Sequence, residues 1–120
     1  MNEIITLPVF EIVGSSLCVA SDDGEKVYER IRKAITQGRS AALSFMNVTS
    51  TTPTFLNVAI GPLYGVFSEE EIREKLTVKD MEPEDLVLLK RVVETAKAYC
   101  KNLELHKKAT AELLGANNGM

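Results

Sequence analysis

The residues best suited to chemistry lie in one short run, Thr49-Ser50-Thr51-Thr52-Pro53-Thr54, hydroxyls interrupted only by a proline. A hydroxyl in such a run can accept a phosphate, cap a helix or close a turn. Thr52 followed by Pro53 reads as a helix start: the threonine oxygen accepts from a free backbone N–H, and proline at the first helical position has no N–H to leave unpaired. Thr51, Thr52 and Thr54 then stand beside the unpaired donors of that first turn. A phosphate on Thr54, or an anion bound there, would meet those donors and the positive end of the helix dipole. Spacing alone favours capping, the commoner use of such residues.

The other reactive residue types form no catalytic set. The chain has no G-x-S-x-G elbow, H-E-x-x-H pair or G-x-x-x-x-G-K-[ST] loop. Gly24-Glu25-Lys26 lacks both the upstream glycine and the hydroxyl of a phosphate loop. Asp22 and Asp23, like Glu69, Glu70 and Glu71, read as acidic residues in first helical turns, where the dipole favours them. His106, the single histidine, lies beside Lys107 and Lys108 on what reads as a solvated helix face. Cys18 and Cys100 lack a neighbouring base and read as small buried hydrophobes. No catalytic residue, metal site or cofactor is expected.

Composition narrows the class further. The 120 residues carry a net charge of −3, with 45% apolar and 26% charged residues, enough apolar material for one compact domain. The basic residues alternate with acidic ones, against a nucleic-acid binder, which needs clustered Lys and Arg. No apolar run reaches the roughly twenty residues of a membrane helix, and no secretory stretch opens the chain, so the cytoplasm is the expected location.

These side chains are positioned by an alternation of short elements. Ile4 to Val13 reads as one strand or two short ones, broken by Pro8. Leu17-Cys18-Val19-Ala20 is a further short apolar run. Ser21-Asp22-Asp23-Gly24 opens a helix whose Val27, Ile31, Ala34 and Ile35 share one face, with Gly38 as its stop. Ser40 to Val48 suits a central strand buried on both faces. From Phe55 to Phe67 the helix is apolar almost all round, and Gly61-Pro62 should kink it. Ser68 with Glu71 forms a capping box for a helix to about Lys75. Leu76-Thr77-Val78 suits an edge strand, and Pro83 starts a long helix, with a bend at Asn102 and a frayed tail from Ala116. The order predicts an α/β fold: a small mixed sheet of about four strands with helices on one face, spanning residues 1–80. A C-terminal helix or helical hairpin, 81–115, is added, packed on the core or on a second subunit.

Ser44-Phe45-Met46-Asn47-Val48 followed by Thr51 to Leu56 resembles the strand–loop–helix signature of STAS domains, the anti-sigma-factor-antagonist fold, roughly D-F-S-x-V-x-x-I-D-S-S-G-L-G. The similarity is closer to the STAS-like family of domains of unknown function. There the loop tends to read T-S-S-F-L-N before an A-x-G-x-L-Y helix, here Thr52-Pro53-Thr54-Phe55-Leu56-Asn57 and Ala59-Ile60-Gly61-Pro62-Leu63-Tyr64. The resemblance covers residues 4 to 80. In STAS antagonists the second serine of the loop is phosphorylated by a kinase with a GHKL-type ATP-binding fold. The resemblance therefore implies Thr54 as phospho-acceptor, with Thr52, Pro53 and Phe55 in place of the aspartate, first serine and glycine.

The implied function is a non-enzymatic regulatory module. It would bind a protein partner, a GHKL-type kinase or ATPase, through Ser50, Thr51, Thr52 and Thr54, with Phe55 and Leu56 as apolar contacts. The competing expectation is a structural domain that forms a homodimer through the apolar stripe of the C-terminal helix, with the hydroxyl loop only capping.

Overall fold

The computed structural model describes the backbone of residues 3–118 and the side chains of 3–101. Five strands and six helices follow in the order β1 (Ile4–Pro8), α1 (Val9–Val13), β2 (Leu17–Cys18), α2 (Ser21–Thr36), β3 (Ser40–Ser44), β4 (Ser50–Thr51), α3 (Pro53–Ala59), α4 (Leu63–Val66), α5 (Glu69–Lys75), β5 (Leu76–Lys79) and α6 (Pro83–Asn118). The α/β class is that expected. The strands divide into a three-stranded sheet, β1-β3-β5, and a two-stranded one, β2-β4, and every pairing is parallel. Parallel neighbours cannot be joined by a tight hairpin, so each connection must cross over, and helices fill the crossovers.

Register and alternation explain why the helices lie on one face. Ile5 pairs with Ala41, Leu7 with Leu43, Ala41 with Leu76 and Leu43 with Val78. These residues point to one side, over which α2 packs on β1 and β3, and α5 on β3 and β5. The opposite side carries Ile4, Thr6, Thr77 and Lys79, all exposed. Ala42 and Ser44 on that side are buried because their strand lies between the other two.

Local chemistry places most boundaries. Ser68 Oγ accepts from Glu71 N at 3.1 Å, the expected cap of α5. Pro62 lies in the break between α3 and α4, where the helix expected from Phe55 to Phe67 with a kink at Gly61-Pro62 becomes two short ones. A Cβ on Gly61 would stand 2.5 Å from the Asn57 carbonyl oxygen, so the chain turns there on a residue without one. Val9–Val13, expected as strand, is a helical turn. Pro8 starts it, and Gly14 at φ 79° ends it in the left-handed region that glycine reaches without steric cost. α2 begins at Ser21 with Ala20 at its N-cap, one residue ahead of the expected polar caps. The central strand ends at Ser44, and Phe45 to Val48 form a turn with Asn47 at φ 68°.

The core joins Val27, Ile31, Ala34 and Ile35 of α2 to Phe55, Leu56, Ala59, Ile60 and Leu63. α3 buries Phe55, Leu56 and Ala59 because α2 packs on one flank and α6 on another, while Thr54 and Asn57 stay exposed. α6 contributes Val92 to the core, with Leu88, Leu89 and Val93 beside it. It is one helix, continuous through Asn102, where a bend was expected to interrupt it. The side chain of His106 and the tail from 119 lie outside the described residues. No helix among the described residues is long and apolar enough to cross a membrane.

Candidate functional site

The hydroxyl run turns the corner between β4 and α3. Backbone bonds lay it along β2: Thr49 N donates to Ser16 O at 2.9 Å and Thr52 N to Cys18 O at 3.3 Å. Thr52 caps α3 as expected, its Oγ1 accepting from Phe55 N at 3.2 Å while donating to Val19 O at 3.2 Å. One hydroxyl thus ties the helix start to the neighbouring chain. Ser50 and Thr54 are exposed. Thr54 stands in the first turn of α3.

The corner does not present the whole expected set. Thr51 is 8% exposed, and its Oγ1 is enclosed without a hydrogen-bond partner. It faces inward because its register partner is the fully buried Cys18, whereas Leu17 and Ser50, one position earlier, face out together. Phe55 and Leu56 are fully buried between α2 and α6, so they are core residues and not surface contacts for a partner. Position in the first turn of α3 was no guide to which flank the neighbouring helices would cover.

Other residues supply apolar surface instead. Leu17 is 53% exposed and Met46 59%, and Val19, two residues after Leu17, is exposed as well. Leu17 stands next to Ser50 across the β2–β4 pair, and Met46 lies on the turn between β3 and β4. The alternation Leu17-Cys18-Val19 carried the signal: with Cys18 inward, its two neighbours must face outward. Behind Met46, Ser44 Oγ donates to Asp80 Oδ2 at 3.0 Å and accepts from Met46 N at 3.3 Å, and Phe45 N donates to Lys79 O. That network fastens the turn to the end of β5.

The electrostatic setting is acidic. Gly24 of α2 lies against the Phe55 carbonyl, so the α2 turn bearing Asp22 and Asp23 adjoins the start of α3. Asp23 pairs with Lys26 at 3.4 Å. Burial, with a contribution from Asp23, pushes the Cys18 thiol up to about 11. At neutral pH it is a protonated, enclosed thiol and a poor nucleophile. No cluster of His, Cys, Asp and Glu among the described residues could hold a metal ion.

A three-stranded parallel sheet covered by helices on one face, with a capped hydroxyl corner leading from β4 into a buried helix, defines a STAS-like domain. The chain belongs to the family described as STAS-like domain of unknown function (DUF4325), whose model matches residues 23–86. The match runs from α2 into the first turn of α6, so it begins later than the resemblance read from residue 4 and leaves β1, α1 and β2 outside. No curated protein and no solved structure matches the chain.

Proposed function

We propose that this domain is a non-enzymatic regulatory module that binds a protein partner at the β2–β4–α3 corner and is switched by phosphorylation of Thr54. The reading is carried by one observation: Thr54 is exposed while Phe55 and Leu56, the residues after it, are buried. A kinase can reach that hydroxyl without unfolding the helix. Exposed Leu17, Val19 and Met46 supply apolar area for docking. The resemblance to anti-sigma-factor antagonists makes a GHKL-type ATP-binding kinase the partner proposed. Phosphate would add about −1.5 to −2 charge at pH 7. Beside Asp22, Asp23 and the apolar residues, that charge opposes a partner surface matched to the neutral hydroxyl.

The test mixes the protein with a GHKL-type kinase and ATP, then compares recovery of the kinase by wild type, Thr54→Ala and Thr54→Glu. Both variants fold with stability within about 0.5 kcal/mol of wild type, since the site is exposed. Wild type gains one phosphate and Thr54→Ala none. Thr54→Ala retains the kinase, and Thr54→Glu loses it by about tenfold or more, roughly 1.4 kcal/mol. Equal recovery by all three, with no phosphate on the wild type, overturns the switch.

A second reading has an observation of its own. Leu86, Val87 and Tyr99 are exposed at separate positions around α6, apolar side chains that a second copy of the chain would cover, with the hydroxyl corner reduced to a helix cap. Light scattering over a concentration series then gives a dimer that Val87→Glu with Tyr99→Glu converts to monomer. An unchanged mass removes this reading.

A further inference from the structure

We propose that the cleft between α5, β5 and α6 is a binding site for a small carboxylate with an aromatic or branched aliphatic body. It is separate from the hydroxyl corner. Ile60, Ile72, Val78 and Val93 form apolar walls around a cavity of about 210 Å³. An apolar cavity of about 150 Å³ already accommodates a benzene-sized ligand, so a phenyl ring or a branched chain fits here.

The mouth selects the charge. Tyr64, Glu69, Arg73 and Lys97 stand at its rim. Lys97 Nζ lies 2.6 Å from Glu69 Oε1, and Arg73 Nη2 lies 3.2 Å from the same oxygen. Two cations therefore share one carboxylate, and one positive charge is left over among the groups lining the cavity. Glu69 is held below the ordinary carboxylate range by Lys97 and then Arg73, so it stays ionised and keeps both cations at the opening. Burial raises the Tyr64 phenol above its usual value, so it remains a hydrogen-bond donor at neutral pH. A ligand carboxylate entering beside Glu69 would accept from Tyr64 and neutralise the remaining charge, while its apolar end displaces water from the walls. An amine of the same shape would meet that same net positive charge. A wider groove continues outward past Phe67 and Ser68 and shares Tyr64, Glu69 and Lys97, which leaves the cleft open to entry from solvent.

The test titrates the full ¹⁵N-labelled chain with phenylacetate, phenylacetamide and 2-phenylethylamine and follows amide shifts. Phenylacetate should give saturable shifts centred on Ile60, Ile72, Val78 and Val93, with Kd about 1 mM or tighter. The neutral amide should bind about fivefold more weakly and the amine about tenfold or more. Lys97→Gln should weaken phenylacetate about fivefold and leave the amide unchanged. Val93→Phe should fill the cavity and abolish all three; if that variant does not fold, Lys97→Gln, altered at the surface, decides alone. Absence of saturable shifts up to about 20 mM phenylacetate overturns the site. Equal affinity for acid, amide and amine overturns its charge selectivity, as does an unchanged phenylacetate affinity in Lys97→Gln.

Discussion

Replacing Phe55 by alanine is expected to destabilise the protein by about 3–5 kcal/mol, the range for deleting a buried aromatic ring. Phe55 is among the largest fully buried side chains in the chain. It stands where α3 leaves its cap, with its backbone N–H held by Thr52 Oγ1. Its ring is enclosed by the helix pair, and the surroundings can only partly collapse into the space it leaves. A domain of this size is typically stable by about 5–15 kcal/mol, so the variant would sit close to unfolding. Urea denaturation with linear extrapolation measures the loss, and Thr54→Ala, one residue earlier but exposed, is the control. A cost below about 1 kcal/mol for Phe55→Ala, together with lost partner binding, would return Phe55 to the surface role that its position in the hydroxyl run first suggested.

The second large effect is expected at Gly24, where two forces oppose each other. Intrinsic propensity favours alanine over glycine in a helix by about 0.8–1 kcal/mol. Packing acts the other way. A Cβ at Gly24 would lie 2.8 Å from the Phe55 carbonyl oxygen and 3.0 Å from Val58 Cβ. The nearest obstacle is a main-chain oxygen, which cannot rotate aside as a side chain can. α2 and α3 must therefore separate, and overpacking of this kind typically costs about 1–3 kcal/mol. Gly24→Ala is expected to lower the melting temperature by several degrees, and Gly24→Val to lower it further, because the branched side chain brings more atoms into the same space. Gly24, Phe55 and Val58 all lie within the residues 23–86 matched by the family model. A melting temperature raised by Gly24→Ala would show that the helix pair separates without cost.

How far the sequence was legible follows the range of the interaction involved. The Ser68 cap with Glu71 and the Thr52 cap before Pro53 depend on residues a few positions apart, and both are present, while the kink expected at Gly61-Pro62 is a full break between two helices. The run Ile4 to Val13 was harder. A short apolar stretch fits strand and helix equally by pattern, and only the turn closed by Gly14 separates β1 from α1. The division of the strands into two parallel sheets was likewise not in the pattern, because pairing Ile4 with Ser40, or Leu17 with Ser50, joins positions more than thirty residues apart. At the site, the exposed Thr54 and the capping Thr52 were legible. Thr51 was not, since its inward turn depends on Cys18 across the strand pair.

The sequence alone determined the α/β class, the main helix starts, the hydroxyl corner and the family resemblance, because capping, proline and alternation act within a few residues of the chain. Only the tertiary structure decided that Phe55 and Leu56 are core, that Leu17 and Met46 are surface, and that an apolar cleft with a cationic rim opens beside α6. Those outcomes rest on which distant elements meet. Gly24 reaching the Phe55 carbonyl, and Lys97 of α6 reaching Glu69 of α5, are contacts between chain segments whose approach no local pattern encodes.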